Sequence, residues 1–312
     1  MSPLRRIGRA LGAPLRHGIQ INHDIARTVF LAGCGRSGTT WLSEVLNADR
    51  HYHYLFEPFN NKKTRAWRNF AYRQYLARDA VDSEALAAAA SILSGRTHSL
   101  WIDSQNRAFI SGDRLVKDTR ANLMLGWLRA CFPQMPVVLL TRHPLAVTRS
   151  RQKLGWGPGV SLEALRAQPE LMRRHLDDYR GLLEDLDGDD FAMQIANWCI
   201  EHLVPLREMG DGEYCLVVYE SLVRDPDTEL ERLFAYLGRD FTDAHRSRLS
   251  RASATASRGT RSSLDARKLL RPWEGKLTEA QEQQAQDIVA AFGLGDLLRK
   301  IDGADQAVSA TR

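Results

Sequence analysis

The sequence predicts an α/β fold: a three-layer domain with a central parallel sheet flanked by helices. Three observations predict it. The run Thr28-Val29-Phe30-Leu31-Ala32-Gly33 is β-type and enters a glycine- and hydroxyl-rich turn that opens a helix. Two more apolar runs, Val137-Val138-Leu139-Leu140-Thr141 and Tyr214-Cys215-Leu216-Val217-Val218, read as strands buried on both faces, as parallel sheets require. Helical stretches alternate with the strands, the order that crossover connections produce.

The elements follow in order. Residues 1–27 form a basic N-terminal segment. Leu4, Ile7, Leu11 and Leu15 recur every three or four positions among Arg5, Arg6, Arg9 and Arg16. Two readings stand: an amphipathic helix making peripheral contact with an anionic membrane, or a docked helix or frayed terminus. Residues 28–302 form one domain, with 28–33 the first strand and about 38–48 the first helix. His51 to Phe56 is a short strand ending at Glu57-Pro58-Phe59. Helices are expected over 62–77 and over 82–94, the latter holding the alanine run Ala87 to Ala90. Arg114 to Lys117 is a short strand, and 121–131 a helix stopped before Pro133.

Strand 137–141 ends at Arg142-His143-Pro144, and a helix continues to about 154. Glycines at 155, 157 and 159 mark a loop, then helices are expected over 161–167, 170–186 and 190–209. Strand 214–218 precedes Asp225-Pro226-Asp227 and a helix over 227–237. Residues 252–271 hold few large apolar groups and form a loop; Thr278 caps a last helix. Residues 303–312 form a frayed tail. Residues 155–190 are expected to form an acceptor-side lid hinged at its glycines. Its Arg166, Arg173 and Arg174 either meet an anionic acceptor or decorate a solvated helix.

Composition narrows the function. In 312 residues, 44% are hydrophobic and 26% charged, an ordinary balance for a soluble globular domain. The net charge of +5 fits a small polyanionic ligand and is too dispersed to suggest nucleic acid. Cys34, Cys131, Cys199 and Cys215 lie far apart, so neither a zinc site nor a disulfide framework is suggested. A cytoplasmic, reducing location is expected, since there is also no apolar run of membrane-spanning length and no secretory h-region.

From Gly33 to Gly38 and on to Thr39-Thr40, the spacing nearly fits the nucleotide loop G-x-x-x-x-G-K-[ST]. Thr39 replaces the lysine, and a cation appears inside the loop as Arg36. Such a strand–loop–helix turns backbone N–H groups and the positive end of a helix dipole toward one point, where phosphate or sulfate binds. The fold is therefore expected to be P-loop-like. Arg142 follows a strand, where ligands of open α/β sheets collect. Ser150 stands eight residues on, about two helical turns, so arginine and hydroxyl can grip one phosphate.

These residues resemble the sulfotransferases that use 3′-phosphoadenosine 5′-phosphosulfate (PAPS) and release 3′-phosphoadenosine 5′-phosphate (PAP). Arg36-Ser37-Gly38-Thr39-Thr40-Trp41 resembles the family's 5′-phosphosulfate loop. Arg142 with Ser150 is similar to its 3′-phosphate motif. The run Val218-Tyr219-Glu220-Ser221-Leu222, with Asp225-Pro226, resembles the family's strand-to-helix segment. The resemblance places Trp41 and Tyr219 near adenine, against the plainer alternative that both are core residues. It places Arg258 and Gly259 in a basic loop closing the 3′-phosphate site.

Sulfuryl transfer to a hydroxyl needs a base and charge stabilisation on the departing phosphate. Arg36 and Lys117 are expected to stabilise charge, with no metal. The base is expected to be Glu57, in a segment similar to that of carbohydrate sulfotransferases, with apolar neighbours raising its pKa. Asp118 is the rival base. Small-molecule cytosolic members place a histidine two positions after a lysine; here Lys117-Asp118-Thr119 puts Thr119 there. That departure points to a hydroxyl on a saccharide or glycolipid as acceptor. Two rivals remain: a P-loop kinase or NTPase with a degenerate loop, which should carry lysine at 39, and a non-catalytic nucleotide-binding protein.

Overall fold

The structure, a computed structural model, describes residues 18–249 and 269–303. Seven strands run β1 (Ile19–Gln20), β2 (Thr28–Gly33), β3 (Tyr52–Phe56), β4 (Ile110–Ser111), β5 (Asp113–Asp118), β6 (Val137–Thr141) and β7 (Cys215–Val218). β1 and β4 pair apart; the other five form one parallel sheet ordered β3-β5-β2-β6-β7. The chain begins that sheet in its centre, goes to one edge and returns, then crosses to the other side. Neighbouring connections therefore diverge at the carboxyl end of β2, the place where open α/β sheets bind ligands.

The helices are α1 (Thr39–Leu46), α2 (Ser83–Leu93), α3 (Leu125–Cys131), α4 (Pro144–Gln152), α5 (Leu162–Arg166), α6 (Arg180–Leu186), α7 (Asp190–Glu208), α8 (Tyr219–Arg224), α9 (Pro226–Tyr236), α10 (Asp243–Leu249), α11 (Glu279–Ala291) and α12 (Gly295–Asp302). Alternating strand residues supply the two layers of core, as a period of two dictates. Phe30, Leu55, Val116 and Leu139 pack under α2 and α3. Leu31, Tyr54, Leu115, Leu140 and Val217 pack under α1 and α9. A third cluster surrounds α7, whose Ile195, Trp198 and Cys199 meet α4, α5, α11 and α12. Thr278 caps α11 as expected, reciprocated by Gln281 in a capping box.

Three expectations change. Residues 62–77 are not a helix: only a 3₁₀ turn at Arg65–Trp67 forms. Packing overrides periodicity there. Trp67 stacks on Phe70 at 4.0 Å and meets Phe59 edge-on, the Asn61 amide takes the Phe70 carbonyl, and Arg73 turns left-handed at φ 56°. The helix expected over 170–186 is helical throughout, from Pro169 to Leu186, but not uniformly α: a π turn at Met172–Leu176 and a 3₁₀ turn at Asp177–Tyr179 separate an α turn at Pro169–Leu171 from α6. The boundary at residue 28 also moves, because 19–27 belong to the domain.

Buried Arg114 on β5 makes that attachment. Its Nε donates to Thr28 Oγ1 and to the Leu93 carbonyl, while its Nη atoms reach the carbonyls of Asn22 and Asp24. Arg114→Ala strands those acceptors and is expected to cost about 3 kcal/mol in urea unfolding. The membrane-helix expectation for the first residues and the tail beyond Gly303 lie outside the described residues. No described helix is long and apolar enough to cross a membrane.

Candidate active site

Every strand of the five-stranded sheet delivers a candidate residue at its carboxyl end. β2 leads into the loop 34–38, β3 into Glu57, β5 into Thr119 and Arg120, β6 into Arg142, and β7 into Tyr219. Parallel pairing fixes their mutual register: Phe56 sits beside Lys117, Ala32 beside Asp118, and Thr141 beside Val218.

The loop needs its glycines for space as well as conformation. Gly33 has φ 155°, and a Cβ there would lie 2.5 Å from the Leu140 carbonyl oxygen. Gly38 has φ 101°, and its Cβ would strike the Tyr219 ring at 2.9 Å. Arg36 itself takes the left-handed region, φ 82°, a strained choice for a residue with a Cβ. Gly38 caps α1 without a side-chain acceptor, so no cap competes with an anion for the first-turn amides of Thr39, Thr40 and Trp41.

Ser37 plays a different part from the one its motif implies. Its amide and its hydroxyl both donate to the Cys34 carbonyl, at 3.1 and 2.7 Å, so it shapes the loop from within. Thr39 is also buried, its methyl carbon 2.9 Å from where a Gly33 Cβ would stand. No lysine-like reach over a nucleotide chain starts from that position.

The two predicted anion grips adjoin. Arg36 Nε donates to Ser150 Oγ at 3.0 Å, and Arg142 Nη1 donates to the Arg36 carbonyl at 3.4 Å. Among the described residues no carboxylate forms an ion pair with Arg36 or Arg142, and Arg142 Nε is buried without a partner. Burial first, and the Arg142 charge second, pull the Arg36 guanidinium below its ordinary pKa. Two cations held together with a donor left over suit an anion. The Arg142 guanidinium lies 4.2 Å above the Tyr219 ring, which meets Trp41 edge-to-face at 5.7 Å. Arg258 and Gly259 lie outside the described residues. The chain beyond them reaches this place, since Arg142 Nη2 donates to the Leu269 carbonyl at 3.2 Å.

Glu57 follows the carboxyl end of β3 with backbone φ 44°, another strained residue. Lys117 Nζ donates to its Oε1 at 2.6 Å, Thr119 Oγ1 to the same oxygen at 3.2 Å, and Arg120 Nη1 to Oε2 at 2.5 Å. The expected pKa is therefore corrected. Burial pushes the Glu57 carboxyl up, but Lys117 and Arg120 together outweigh it and hold it below its ordinary value. Lys117 is itself lowered, because burial exceeds what a carboxylate shared with Arg120 returns.

Asp118 sits behind this group with no exposed surface. Its two oxygens accept the amides of Phe59 at 2.8 Å and Arg120 at 2.7 Å, so it pins the turn carrying Glu57 to the end of β5. Burial, then the Glu57 charge, push its pKa up to about 6.

Arg120 was missed in the sequence, although it directly follows Lys117-Asp118-Thr119. Also missed was a buried pair of arginines behind the loop. Arg151 Nε donates to the Gly35 carbonyl at 3.2 Å, and Glu201 pairs with both Arg151 and Arg73. No motif announces them, because α4, α7 and the turn at 73 meet only in three dimensions. In 155–190 the glycines at 155 and 159 have positive φ, as hinges would, but Leu162, Leu165, Leu171, Met172 and Leu176 are built into the α7 core. Arg166 pairs with Glu184, and Arg173 and Arg174 pair with Glu170, so these cations are already engaged.

The histidines near β3 face elsewhere. Exposed His51 pairs with Asp113 at 2.7 Å. His53, His98 and Asp103 cluster closely enough for a metal, but hydrogen bonding argues otherwise. The Asn106 carbonyl accepts from the Tyr54 and Ala108 amides, so its NH₂ faces His53 Nδ1 at 3.3 Å. His53 Nε2 then carries the proton and donates to Asp103 at 3.2 Å, leaving no lone pair for a metal.

A parallel α/β sheet with an anion-gripping loop, paired arginines and an ionised carboxylate at one edge defines a P-loop-like group-transfer site. A sulfotransferase family model matches residues 28–243, and the chain belongs to that family. It is 25% identical over 279 residues to nodulation protein NoeE of Sinorhizobium fredii, a match covering 86% of this chain and 65% of that relative. The chain thus spans a little under two thirds of that protein's length. Two solved structures are similar at low identity. The sulfotransferase domain from the curacin biosynthetic pathway has 16% identity, TM-score 0.47, and coverage of 88% of this chain and 99% of that one. The mouse sulfotransferase SULT7A1 complexed with PAP has 12% identity, TM-score 0.47, and coverage of 93% and 92%.

Proposed function

We propose that the protein transfers the sulfuryl group of PAPS to an acceptor hydroxyl, most favourably on a saccharide. The observation that carries this is the adjoining of the two grips, Arg36 bonded to Ser150 and Arg142 bonded to the Arg36 carbonyl. One bis-phosphorylated nucleotide can span them. The loop amides and Arg36 take the 5′-phosphosulfate, Arg142 and Ser150 take the 3′-phosphate, and Trp41 and Tyr219 flank the base.

In the reaction the acceptor oxygen bonds to sulfur while the bond from sulfur to the 5′-phosphate oxygen breaks. Glu57 accepts the hydroxyl proton, and PAP leaves with its new charge held by Arg36 and the loop. Lys117, bonded to the Glu57 carboxylate, supplies the cation that would stabilise charge on the sulfuryl oxygens. Geometry favours Glu57 over Asp118 as the base. Asp118 has the pKa nearer neutrality, but its oxygens are taken by backbone amides and none reaches the surface.

The saccharide part rests on Thr119, which supplies a hydroxyl to Glu57 where small-molecule members keep a histidine base, and on the likeness to NoeE. A cytoplasmic location is proposed from four unpaired cysteine thiols. The kinase reading is disfavoured by buried Thr39. PAP at 100 times its Kd is expected to stabilise the protein by about 2.7 kcal/mol without magnesium, seen as a raised Tm. ATP raising Tm more than PAP, and only with magnesium, would restore the kinase reading.

A further inference from the structure

The motifs identify where the donor lies; a different set of residues borders the ground in front of it. A chain of contacts leaves the loop and returns to the carboxylate. From the Gly35 carbonyl it runs to Arg151, then through Glu201 to Arg73. The Arg73 guanidinium lies 5.5 Å from the centre of the Tyr72 ring, and that of Arg120 lies 5.8 Å from it. Arg120 then closes the circuit on Glu57.

Tyr72 is the member of this circuit with substantial open surface. It is 41% exposed, while Arg73, Arg151 and Glu201 are buried. On the loop itself stands a second half-exposed aromatic: Trp156, 47% exposed, lies 3.3 Å from where a Gly35 Cβ would be. Arg73 holds Tyr72 in place from a left-handed backbone position, strain of the kind that persists where surrounding contacts over-determine it. A partly exposed aromatic with guanidiniums close to its ring suits a ligand with an apolar C–H face and a rim of hydroxyls. The aromatic takes the face, and the guanidinium donors take the rim.

We propose that Tyr72 is the acceptor platform: the acceptor's sugar ring packs on its exposed surface, with Arg120 between the ring and Glu57 and the reacting hydroxyl presented to that carboxylate. This rests on the saccharide reading above, and it makes Tyr72 a specificity-determining residue outside the donor site.

The experiment uses the full chain, labelled PAPS, and a panel of p-nitrophenyl monosaccharides with p-nitrophenol as the non-saccharide comparison. Tyr72→Ala is expected to raise the KM for accepted glycosides at least tenfold, with kcat lowered less and the Kd for PAP within twofold of the parent. Tyr72→Phe, which keeps the ring, is expected to recover most of that loss. Unaltered PAP affinity shows that the variants fold. If glycosides are sulfated and Tyr72→Ala leaves their KM unchanged, or if its loss falls on PAP affinity, the platform is overturned and the saccharide reading stands. Sulfation of p-nitrophenol alone, or of nothing in the panel, overturns both.

Discussion

Glu57→Gln is expected to lower turnover by about a thousandfold, within the range for loss of a general base. The amide is close in size and still accepts a hydrogen bond from Lys117, but it cannot take a proton from the acceptor. The pKa direction sharpens this expectation. Because Lys117 and Arg120 hold the carboxyl below its ordinary value, Glu57 is ionised throughout the neutral range, and its own titration takes turnover away only as pH falls below about 4.5. By the same linkage, its contribution to stability is present above the unfolded pKa and is lost as pH falls through the folded one. The Kd for PAP should change little, since Glu57 touches the acceptor side. Turnover near that of the parent, with PAP binding intact, removes Glu57 as the base and points to Asp118 or another group.

Arg142→Ala is expected to weaken PAP binding by at least ~1.5 kcal/mol, about tenfold in Kd or more, as a charge-assisted contact to a phosphate is lost. Titration calorimetry measures it. A second ligand separates the 3′-phosphate grip from general damage: adenosine 5′-phosphosulfate lacks that phosphate, and its affinity should fall far less in the same variant. Equal losses for both ligands mean that Arg142 acts by supporting Tyr219, 4.2 Å beneath its guanidinium, and by binding the Leu269 carbonyl. Unchanged affinity for both removes the 3′-phosphate assignment altogether.

Much of this architecture is legible in order along the chain. β2, β6 and β7 stand within a residue or two of where apolar runs place them, because a strand buried on both faces needs a run that is largely apolar. α11 is legible from its cap, Thr278, whose side chain accepts an amide that the helix cannot satisfy itself, and α2 from its alanine run. The segment 62–77 was not legible. Its helix-like spacing gives way to packing on the sheet: Phe59 and Trp67 join the core around Phe30, Val116 and Leu139, partners far away in the sequence.

The candidate donor side was legible for the same reason as the strands. A loop that must bring backbone amides to an anion requires glycines at fixed spacing, and Arg142 and Ser150 share one short connection after a strand. The acceptor side offers no such local signature. Arg120, the neighbours Tyr72 and Arg73, Arg151 and Glu201 come from four places in the chain, and each alone resembles an ordinary surface or core residue. Even Ser37, inside the motif, proves to face Cys34.

The sequence by itself determined the parallel sheet and the family, and it singled out the loop after the first strand and Arg142 as the candidate anion grips. Those depend on short-range demands: apolar runs, glycine conformations, and residues spaced along one connection. The tertiary structure alone decided that the two candidate grips adjoin, that two cations hold Glu57 ionised, that Asp118 is sealed behind it, and that exposed Tyr72 lies beside Arg120. Each of these depends on distance and burial between groups far apart in the chain, and both the Coulomb energy of an ion pair and the cost of desolvating it are set by that spacing.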